Sequence, residues 1–245
     1  MLTDYRRSHL LPDCGRLYDA RFKTNDHRSM VWQMEKSILD SIMKTFYGDS
    51  EIHHLDFACG TGRILSYLED RTSLAVGVDL SPSMLEVARQ NSRSAEIYEA
   101  DLTRGDILGD RKFNLITAFR FFPNAEDDLR IEAMQVLVKH LDDKGYLVFN
   151  NHRNTGSTRY RLSRFIRHGG REGMSVNEVK ELISETGLKI VKKYHTCVFP
   201  ACERHKLLPL TLLRPIEDFL SRQRIFQNLG ENLIFVCRRA NKKEK

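Results

Sequence analysis

The sequence predicts an α/β protein with a doubly wound, mostly parallel sheet and helices on both of its faces. Apolar runs of strand length alternate with longer amphipathic segments along the chain. Three of the runs carry an aspartate at or near the carboxyl end, and the first opens into a glycine turn followed directly by a helical pattern. At 245 residues the chain is long enough for one such domain with a large core. We therefore expect residues 1–245 to form a single domain.

Residues 1–48 precede the first strand. They begin with a polar lead and continue into a segment, residues 30–47, with apolar residues at helical spacing. We expect this segment to be a helix beside the first strand, and the lead to cover the ligand-binding edge.

The glycine turn follows a strand predicted over Ile52 to Cys59. Gly60 and Gly62 allow a sharp turn or a close backbone approach to a ligand, and a helix that begins at Arg63 would offer unpaired N–H groups. The turn therefore predicts a site for a nucleotide-like ligand. A nicotinamide-dependent oxidoreductase is disfavoured because Leu65 stands where a dinucleotide fingerprint has its third glycine. Asp56 would also repel a pyrophosphate.

The remaining elements follow in a regular order. Further strands are predicted over residues 74–79, 96–102, 113–119, 145–150, 189–199 and 232–237. Further helices are predicted over residues 82–91, 125–141 and 174–187. Ser81 and Pro82 are a start signal for the first of these helices, and Ser175 with Glu178 forms a capping box for the last.

Roughly residues 50–150 resemble the class I S-adenosylmethionine-dependent methyltransferases. The family's first motif is acid-x-Gly-x-Gly-x-Gly, and the run from Asp56 to Gly62 matches it with Ala58 in place of the first glycine. Acid-ended strands at Asp79 and Asp101 follow in the family's order. The resemblance implies a Rossmann-like seven-stranded sheet of order 3-2-1-4-5-7-6 with the last strand antiparallel. It also implies S-adenosylmethionine as the cofactor and S-adenosylhomocysteine as the product.

The resemblance further implies a set of cofactor-binding residues. In the family, the counterpart of Asp79 holds the ribose hydroxyls, that of Asp101 reads the adenine amino group, and that of Asp56 orients the loop and the cofactor's amino group. A tyrosine of the lead covers the cofactor, with arginines near its carboxylate. The predicted set is Tyr18, Arg21, Asp56, Ala58, Gly60, Gly62, Arg63, Asp79, Leu80, Met84, Asp101, Leu102 and Phe119.

The acceptor side is predicted from the end of the fifth strand onward. His152 is the candidate general base, since an imidazole titrates near neutral pH, and His205 is a second candidate behind it. Residues 153–171 and 199–224 are expected as substrate-side insertions. The first contains six arginines and no acid, which indicates either a clamp for an anionic group or an exposed basic helix. The second is richly apolar and either covers the pocket or contacts a membrane or a partner.

The predicted function is methyl transfer to a small or carrier-linked acceptor, with the hydroxyl of a sugar or glycolipid favoured. An RNA or protein methyltransferase stays open. Methylation of base amino groups is disfavoured because residues 120–123, Arg-Phe-Phe-Pro, replace the Pro-Pro-Tyr type of motif. A non-catalytic subunit that binds S-adenosylmethionine stays open as well. The sequence does not identify the acceptor or the oligomeric state.

The composition indicates the redox environment of the protein and the partners that its charge allows. The five cysteines make no Cys-x-x-Cys pair and no zinc-type spacing, so we expect reduced thiols, a cytoplasmic setting and no metal site. No run of apolar residues is long enough for a transmembrane helix. The net charge of +6 is compatible with anionic acceptors, with nucleic acid, or with peripheral contact to a membrane.

Overall fold

A computed structural model describes residues 5–8, 13–166, 173–200 and 209–240. Seven strands form one sheet in the order β3-β2-β1-β4-β5-β7-β6, as predicted. Strands β1 to β5 run parallel, and β7 is antiparallel to both of its neighbours. The strands are β1 (His53–Phe57), β2 (Leu74–Asp79), β3 (Glu96–Glu99), β4 (Phe113–Ala118), β5 (Leu141–Asn151), β6 (Leu188–Thr196) and β7 (Asn232–Arg239).

Helices surround the sheet, and those over residues 26–46, 63–68, 82–91, 127–140 and 176–185 lie close to the predicted positions. The helices of eight or more residues are α2 (Cys14–Thr24), α3 (Asp26–Phe46), α5 (Pro82–Asn91), α6 (Asp127–His140), α7 (Thr158–Ile166), α8 (Val176–Glu185) and α9 (Leu210–Arg222). The shorter helices are α1 (Tyr5–Ser8) and α4 (Arg63–Leu68), and a 3₁₀ turn covers Phe122–Asn124. The predicted capping box of Ser175 and Glu178 is present at the start of α8.

Two local differences from the predicted elements have clear causes. β5 begins at Leu141, not Gly145, because Leu141 pairs with Phe113 across a register shift in β4. The lead, for which no helix was predicted before residue 30, contains α1, α2 and the first turn of α3. Periodicity did not reveal α2 because only two of its eleven residues, Gly15 and Phe22, are buried.

The core lies on both faces of the sheet because successive side chains of a strand point in opposite directions. Leu55, Ile116 and Phe149 pack on one face, whereas Leu115 and Val148 pack on the other. All five are essentially inaccessible to solvent. The central strands are therefore covered on both sides, as parallel strands require.

The lead reaches the carboxyl edge of the sheet by packing α2 across the start of α5. Gly15 permits this contact, since a Cβ on it would lie 2.0 Å from the carbonyl oxygen of Ser83. The strand order reverses between β1 and β4, and ligands of open α/β sheets bind at such a reversal. The lead and the reversal point together enclose the candidate site.

In the described part of the chain, no helix combines the length and the apolar character that crossing a membrane requires. Cys14, Cys59, Cys197 and Cys237 are free thiols, and the last three are buried. Cys202 lies outside the described residues.

Candidate active site

A cavity of about 470 Å³ opens at the carboxyl edge of the sheet, between the glycine turn and the lead. That volume is in the range of pockets that hold cofactors and drug-sized ligands. Most of the predicted site residues line it: Tyr18, Arg21, Asp56, Ala58, Gly60, Arg63, Asp79, Leu80, Met84, Asp101, Leu102, Phe119 and His152. The structure therefore brings these residues together around one cavity, and their predicted contacts with the cofactor stay predictions.

The glycine turn contains three residues in the left-handed region. The φ angles of Ala58, Gly60 and Gly62 are 52°, 55° and 73°. For Ala58 this backbone is strained, since a Cβ in the left-handed region costs about 1–2 kcal/mol. The alanine in place of the family's glycine thus adopts a conformation that glycine would adopt more easily.

Gly62 differs from the expectation of a close backbone approach to the cofactor. It is not part of the cavity wall. A Cβ on Gly62 would lie 3.1 Å from the Ala88 side chain of α5, so the small residue lets α4 and α5 pack closely.

Asp79, at the end of β2, is held by backbone N–H groups. Its Oδ2 accepts a hydrogen bond from Gly60 N at 2.8 Å, and its Oδ1 accepts one from Ser81 N at 2.8 Å. These bonds fix the carboxylate against the glycine turn. Each oxygen has further lone pairs that can accept bonds from ligand hydroxyls.

Asp56 is buried beneath the same turn. Its Oδ1 accepts a hydrogen bond from the Thr117 hydroxyl at 2.6 Å, whereas its Oδ2 has no hydrogen-bond partner among the described residues. Burial raises the pKa of Asp56 to about 7, against the opposing effects of the Thr117 hydrogen bond and the Arg63 charge. An unpaired carboxylate oxygen on a cavity wall is suited to a cationic group.

Asp101 follows β3 and is paired with the lead. Arg6 Nε lies 2.7 Å from Asp101 Oδ2, and the Thr103 hydroxyl donates to Oδ1 at 2.6 Å. These contacts lower the pKa of Asp101 against the effect of its partial burial. The Tyr5 ring packs edge-on against Phe121 at 5.4 Å. Tyr5 and Arg6 thus close the cavity beside Asp101, and the sequence analysis did not anticipate this contact.

Arg63 lies in a more enclosed position than expected. Its Nη1 is 2.7 Å from Oε2 of the fully buried Glu35. Its guanidinium lies 4.4 Å from the centre of the Phe22 ring and 4.2 Å from that of Trp32. Arg63 therefore fastens α2 and α3 to α4 through an ion pair and cation–π contacts. Its predicted contact with the cofactor carboxylate stays a prediction.

Glu35 also joins the ends of β5 and β7. The side-chain amide of Asn232 donates to Glu35 Oε1 at 3.1 Å, and the Asn150 amide donates to Asn232 Oδ1 at 2.9 Å. Asn150 Oδ1 accepts a hydrogen bond from Arg120 N at 2.6 Å. Arg120 has φ of 63°, and the Asn150 bond supports this strained backbone.

Several arginines of the cavity wall lie around Phe22. The Phe22 ring has three guanidinium groups near it, those of Arg63, Arg120 at 5.0 Å and Arg28 at 5.5 Å. Arg120, Arg28 and Arg153 all line the cavity. No sequence motif marks Phe22, Arg28 or Arg120 as part of one site.

His152 lies at the end of β5, facing the cavity among these arginines. It is half-buried, and its Nδ1 has no hydrogen-bond partner among the described residues. Burial lowers its pKa well below the usual value for histidine, and the charges of Arg120, Arg153 and Arg63 lower it further. His152 is therefore a neutral imidazole near physiological pH. His205, the second predicted base, lies outside the described residues.

The predicted arginine cluster of residues 153–171 divides into different environments. Arg153 lines the cavity. Arg159 forms an ion pair with Glu231 at 2.6 Å, and Arg161 and Arg164 are exposed on α7. The described part of the segment therefore contributes one arginine to the cavity wall and does not form a single clamp.

The comparisons with known proteins agree with this geometry. Residues 55–145 match the methyltransferase domain family. The chain is 29% identical over 140 residues to a dTDP-4-amino-2,3,4,6-tetradeoxy-D-glucose N,N-dimethyltransferase of Saccharopolyspora spinosa, covering 56% of this chain and 53% of the relative. It is 40% identical over 63 residues to a dTDP-3-amino-3,6-dideoxy-alpha-D-glucopyranose N,N-dimethyltransferase of Streptomyces fradiae, covering 26% of this chain and 24% of the relative. The chain thus spans about half the length of the first relative and about a quarter of the second.

A likeness among solved structures supports the fold. Magnesium protoporphyrin IX methyltransferase from Synechocystis, solved with bound S-adenosylmethionine, has a TM-score of 0.61 and 12% identity, covering 97% of this chain and 98% of that one. Asp56 with its unpaired Oδ2 suits the cofactor's ammonium group, so the residues present fit the cofactor of this family. Residues 55–145 therefore match a methyltransferase domain, and the order of the strands and the acid-ended motifs are similar to those of the class I methyltransferases that use S-adenosylmethionine.

Proposed function

We propose that the chain methylates an amino group of a sugar that is linked to a phosphate-containing carrier. The observation that carries this proposal is the cluster of Arg28, Arg120 and Arg153 around His152 at one end of the cavity. The two curated relatives supply the class of acceptor, because their names describe N,N-dimethyltransferases of dTDP-linked amino sugars.

The charges that line the cavity favour an anionic acceptor. Among the described residues, six arginines and three aspartates line it. The aspartates lie at the strand ends, where Asp101 is paired with Arg6. Guanidinium groups bind phosphate oxygens through paired hydrogen bonds, so the excess of arginine suits a phosphate or diphosphate group.

The strand-end acids are the proposed cofactor contacts. Asp56 Oδ2 would accept from the ammonium group, Asp79 would accept from the ribose hydroxyls, and Asp101 with Leu102 would border the adenine. Tyr18 and Arg21 would cover the cofactor from α2, and Met84 would lie beside the ribose or adenine. When bound, S-adenosylmethionine supplies an electrophilic methyl group on a sulfonium.

His152 would take up the proton that the reaction releases. The unprotonated acceptor nitrogen forms its bond to the methyl carbon as the carbon–sulfur bond breaks, and the proton left on the nitrogen then passes through the imidazole to solvent. The lowered pKa of His152 keeps the imidazole unprotonated before the reaction. In-line positioning of the acceptor would supply a large share of the rate enhancement.

The relatives are the reason for proposing nitrogen, and not oxygen, as the acceptor atom that receives the methyl group. The sequence analysis favoured a hydroxyl acceptor, whereas both named relatives methylate amino groups. A weak base such as His152 suits nitrogen, because a free amine attacks without first losing a proton, whereas a sugar hydroxyl is a very weak acid and needs a stronger base to become nucleophilic.

The test is an activity comparison with labelled S-adenosylmethionine and three acceptors. These are a thymidine-diphosphate-linked amino sugar, the same amino sugar without the nucleotide, and the nucleotide-linked sugar with a hydroxyl in place of the amine. We expect methylation of the first acceptor to be the most efficient by kcat/KM. Equal use of the nucleotide-free sugar would contradict the anion subsite, and preference for the hydroxyl sugar would contradict N-methylation.

A further inference from the structure

A buried chain of hydrogen bonds lies behind Asp56, on the side away from the cavity. His54 Nε2 is 2.7 Å from the Thr117 Oγ1, and Thr117 Oγ1 is 2.6 Å from Asp56 Oδ1. The three residues are 0%, 0% and 2% exposed, respectively. His54 and Asp56 lie on the same face of β1, and Thr117 pairs with Asp56 in the β1–β4 register. The register of two neighbouring strands therefore fixes the positions of these three hydrogen-bonded side chains.

The donors and acceptors in this chain can be ordered in two ways. When Asp56 is a carboxylate, Thr117 donates to Oδ1 and His54 Nε2–H donates to the Thr117 oxygen. When Asp56 carries a proton on Oδ1, that proton is donated to Thr117, which then donates to His54 Nε2. Both orders use the same heavy-atom positions, the first with the imidazole proton of His54 on Nε2 and the second with that proton on Nδ1. The carboxyl group can therefore gain or lose a proton without movement of the strands.

The two outer residues of this hydrogen-bonded series, Asp56 and His54, differ in their access to the cavity. Asp56 Oδ2 is buried and has no partner among the described residues, and Asp56 lines the cavity. His54 Nδ1 likewise has no partner among the described residues, but His54 does not line the cavity. A cationic ligand in the cavity can therefore contact this hydrogen-bonded series only at Asp56.

We propose that Thr117 and His54 are positioning residues that hold Asp56 to exchange a proton for the ammonium group of the cofactor. In the free protein, near neutral pH, a substantial fraction of Asp56 is the neutral acid. Binding converts that acid and the free ammonium into a carboxylate–ammonium pair, and one proton leaves to solvent. No oxidation, reduction or covalent change to the cofactor is involved.

The surrounding charges are consistent with this exchange. Burial disfavours the carboxylate and raises the pKa of Asp56 to about 7, with a smaller contribution from Asp79 on β2. Arg63 on α4 and the Thr117 hydroxyl favour the carboxylate. Burial lowers the pKa of His54 to about 3, so His54 stays neutral and is not the final acceptor of the proton. Burial also raises the pKa of the nearby Cys59 thiol, which remains protonated.

Calorimetric titration with S-adenosylhomocysteine tests the proposal, because this product retains the ammonium group and no acceptor is needed. The titration is carried out between about pH 6 and about pH 8 in buffers with different ionisation enthalpies, which gives the number of protons released. We expect about half a proton to be released near pH 7 and fewer at higher pH, with affinity rising with pH. 5′-Methylthioadenosine, which lacks the amino acid part, should bind without this release. No proton release at any pH would overturn the proposal.

Thr117→Val and Thr117→Ser separate a positioning role from a structural one. Thr117→Val keeps the shape but removes the hydroxyl that stabilises the carboxylate, so a rise in pKa of about one unit would weaken binding about fivefold at pH 7 and less at higher pH. Thr117→Ser should restore the wild-type pH profile. Equal weakening of the Thr117→Val variant at every pH would contradict the proposal. The proton count of the wild-type protein remains decisive where a variant fails to fold.

Discussion

The two ends of the cavity are built in different ways. At the proposed cofactor end, Asp56, Asp79 and Asp101 lie at or just after the carboxyl ends of three parallel strands, and backbone N–H groups hold Asp79 in place. At the proposed acceptor end, three guanidinium groups from separate parts of the chain, those of Arg28, Arg63 and Arg120, lie near the Phe22 ring. The fold positions the first end, whereas long-range side-chain packing positions the second. Substitutions at the two ends should therefore affect different steps.

The largest expected effect at the acceptor end is on the chemical step. His152→Gln removes the proposed proton acceptor, so we expect kcat to fall by about 10² to 10⁴, the range for loss of a general base. The dissociation constant for S-adenosylhomocysteine should change little. His53→Gln, at an exposed position of β1, is the matched control. An unchanged kcat would exclude His152 as the base.

The largest expected effect at the cofactor end is on binding. Asp79→Ala removes two proposed hydrogen bonds to ribose hydroxyls, each to a charged group and worth about 1.5–3 kcal/mol, so we expect at least about a hundredfold weaker cofactor binding. A thermal melt shows how much of this loss comes from the lost contacts to Gly60 and Ser81. Asp128→Ala, on the exposed side of α6, should bind like the wild type. Near-normal affinity of a folded Asp79→Ala protein would contradict the assignment.

Paired arginine substitutions test the anion subsite. Arg28→Gln with Arg153→Gln should raise the KM for a diphosphate-linked acceptor by about ten- to a hundredfold, since each charged contact contributes roughly 1 kcal/mol or more. Arg161→Gln with Arg164→Gln changes the net charge equally on the exposed face of α7. A similar KM increase in this control pair would indicate long-range attraction and not a bound anion.

The pH dependence should also differ between the two ends. Because burial and neighbouring arginines lower the pKa of His152, this base is unprotonated throughout the neutral range. We therefore expect kcat at saturating cofactor to be nearly flat between about pH 6 and about pH 8. Cofactor affinity should rise over the same interval, because the pKa of Asp56 is about 7 and its carboxylate is the binding form. A kcat that falls steeply below about pH 7 would show that His152 titrates normally.

The smallest expected effect concerns the strained turn. Ala58→Gly relieves the left-handed strain but increases the freedom of the unfolded chain, so we expect a net gain in stability of up to about 1 kcal/mol. Ala88→Gly, within the helix α5, should instead lose about 1 kcal/mol. The free energy of unfolding in denaturant measures both. A loss of stability in Ala58→Gly would show that strain at residue 58 is not significant.

The resemblance to a known family implied the sheet order, and the strand-end acids could be predicted because residues at the carboxyl ends of parallel strands meet at one edge of the sheet. It did not predict the acceptor end, because Phe22 and Arg120 are far apart in sequence and their contact leaves no periodic pattern. The role of Glu35 could not be predicted either, because a single acid in an amphipathic helix is usually exposed to solvent. Only the structure shows that Glu35 forms an ion pair with Arg63. Arg6 reaches Asp101 from a segment that has no motif of its own.

Calorimetric titration of S-adenosylhomocysteine into the wild type, Asp79→Ala and the Arg28→Gln, Arg153→Gln pair tests the division of the cavity most directly. The account predicts that binding is strongly weakened in Asp79→Ala and retained within about threefold in the arginine pair, which leaves only acceptor binding impaired. If the arginine pair loses cofactor affinity as severely as Asp79→Ala, the arginines bind the cofactor carboxylate, and the proposed acceptor end does not exist as a separate site.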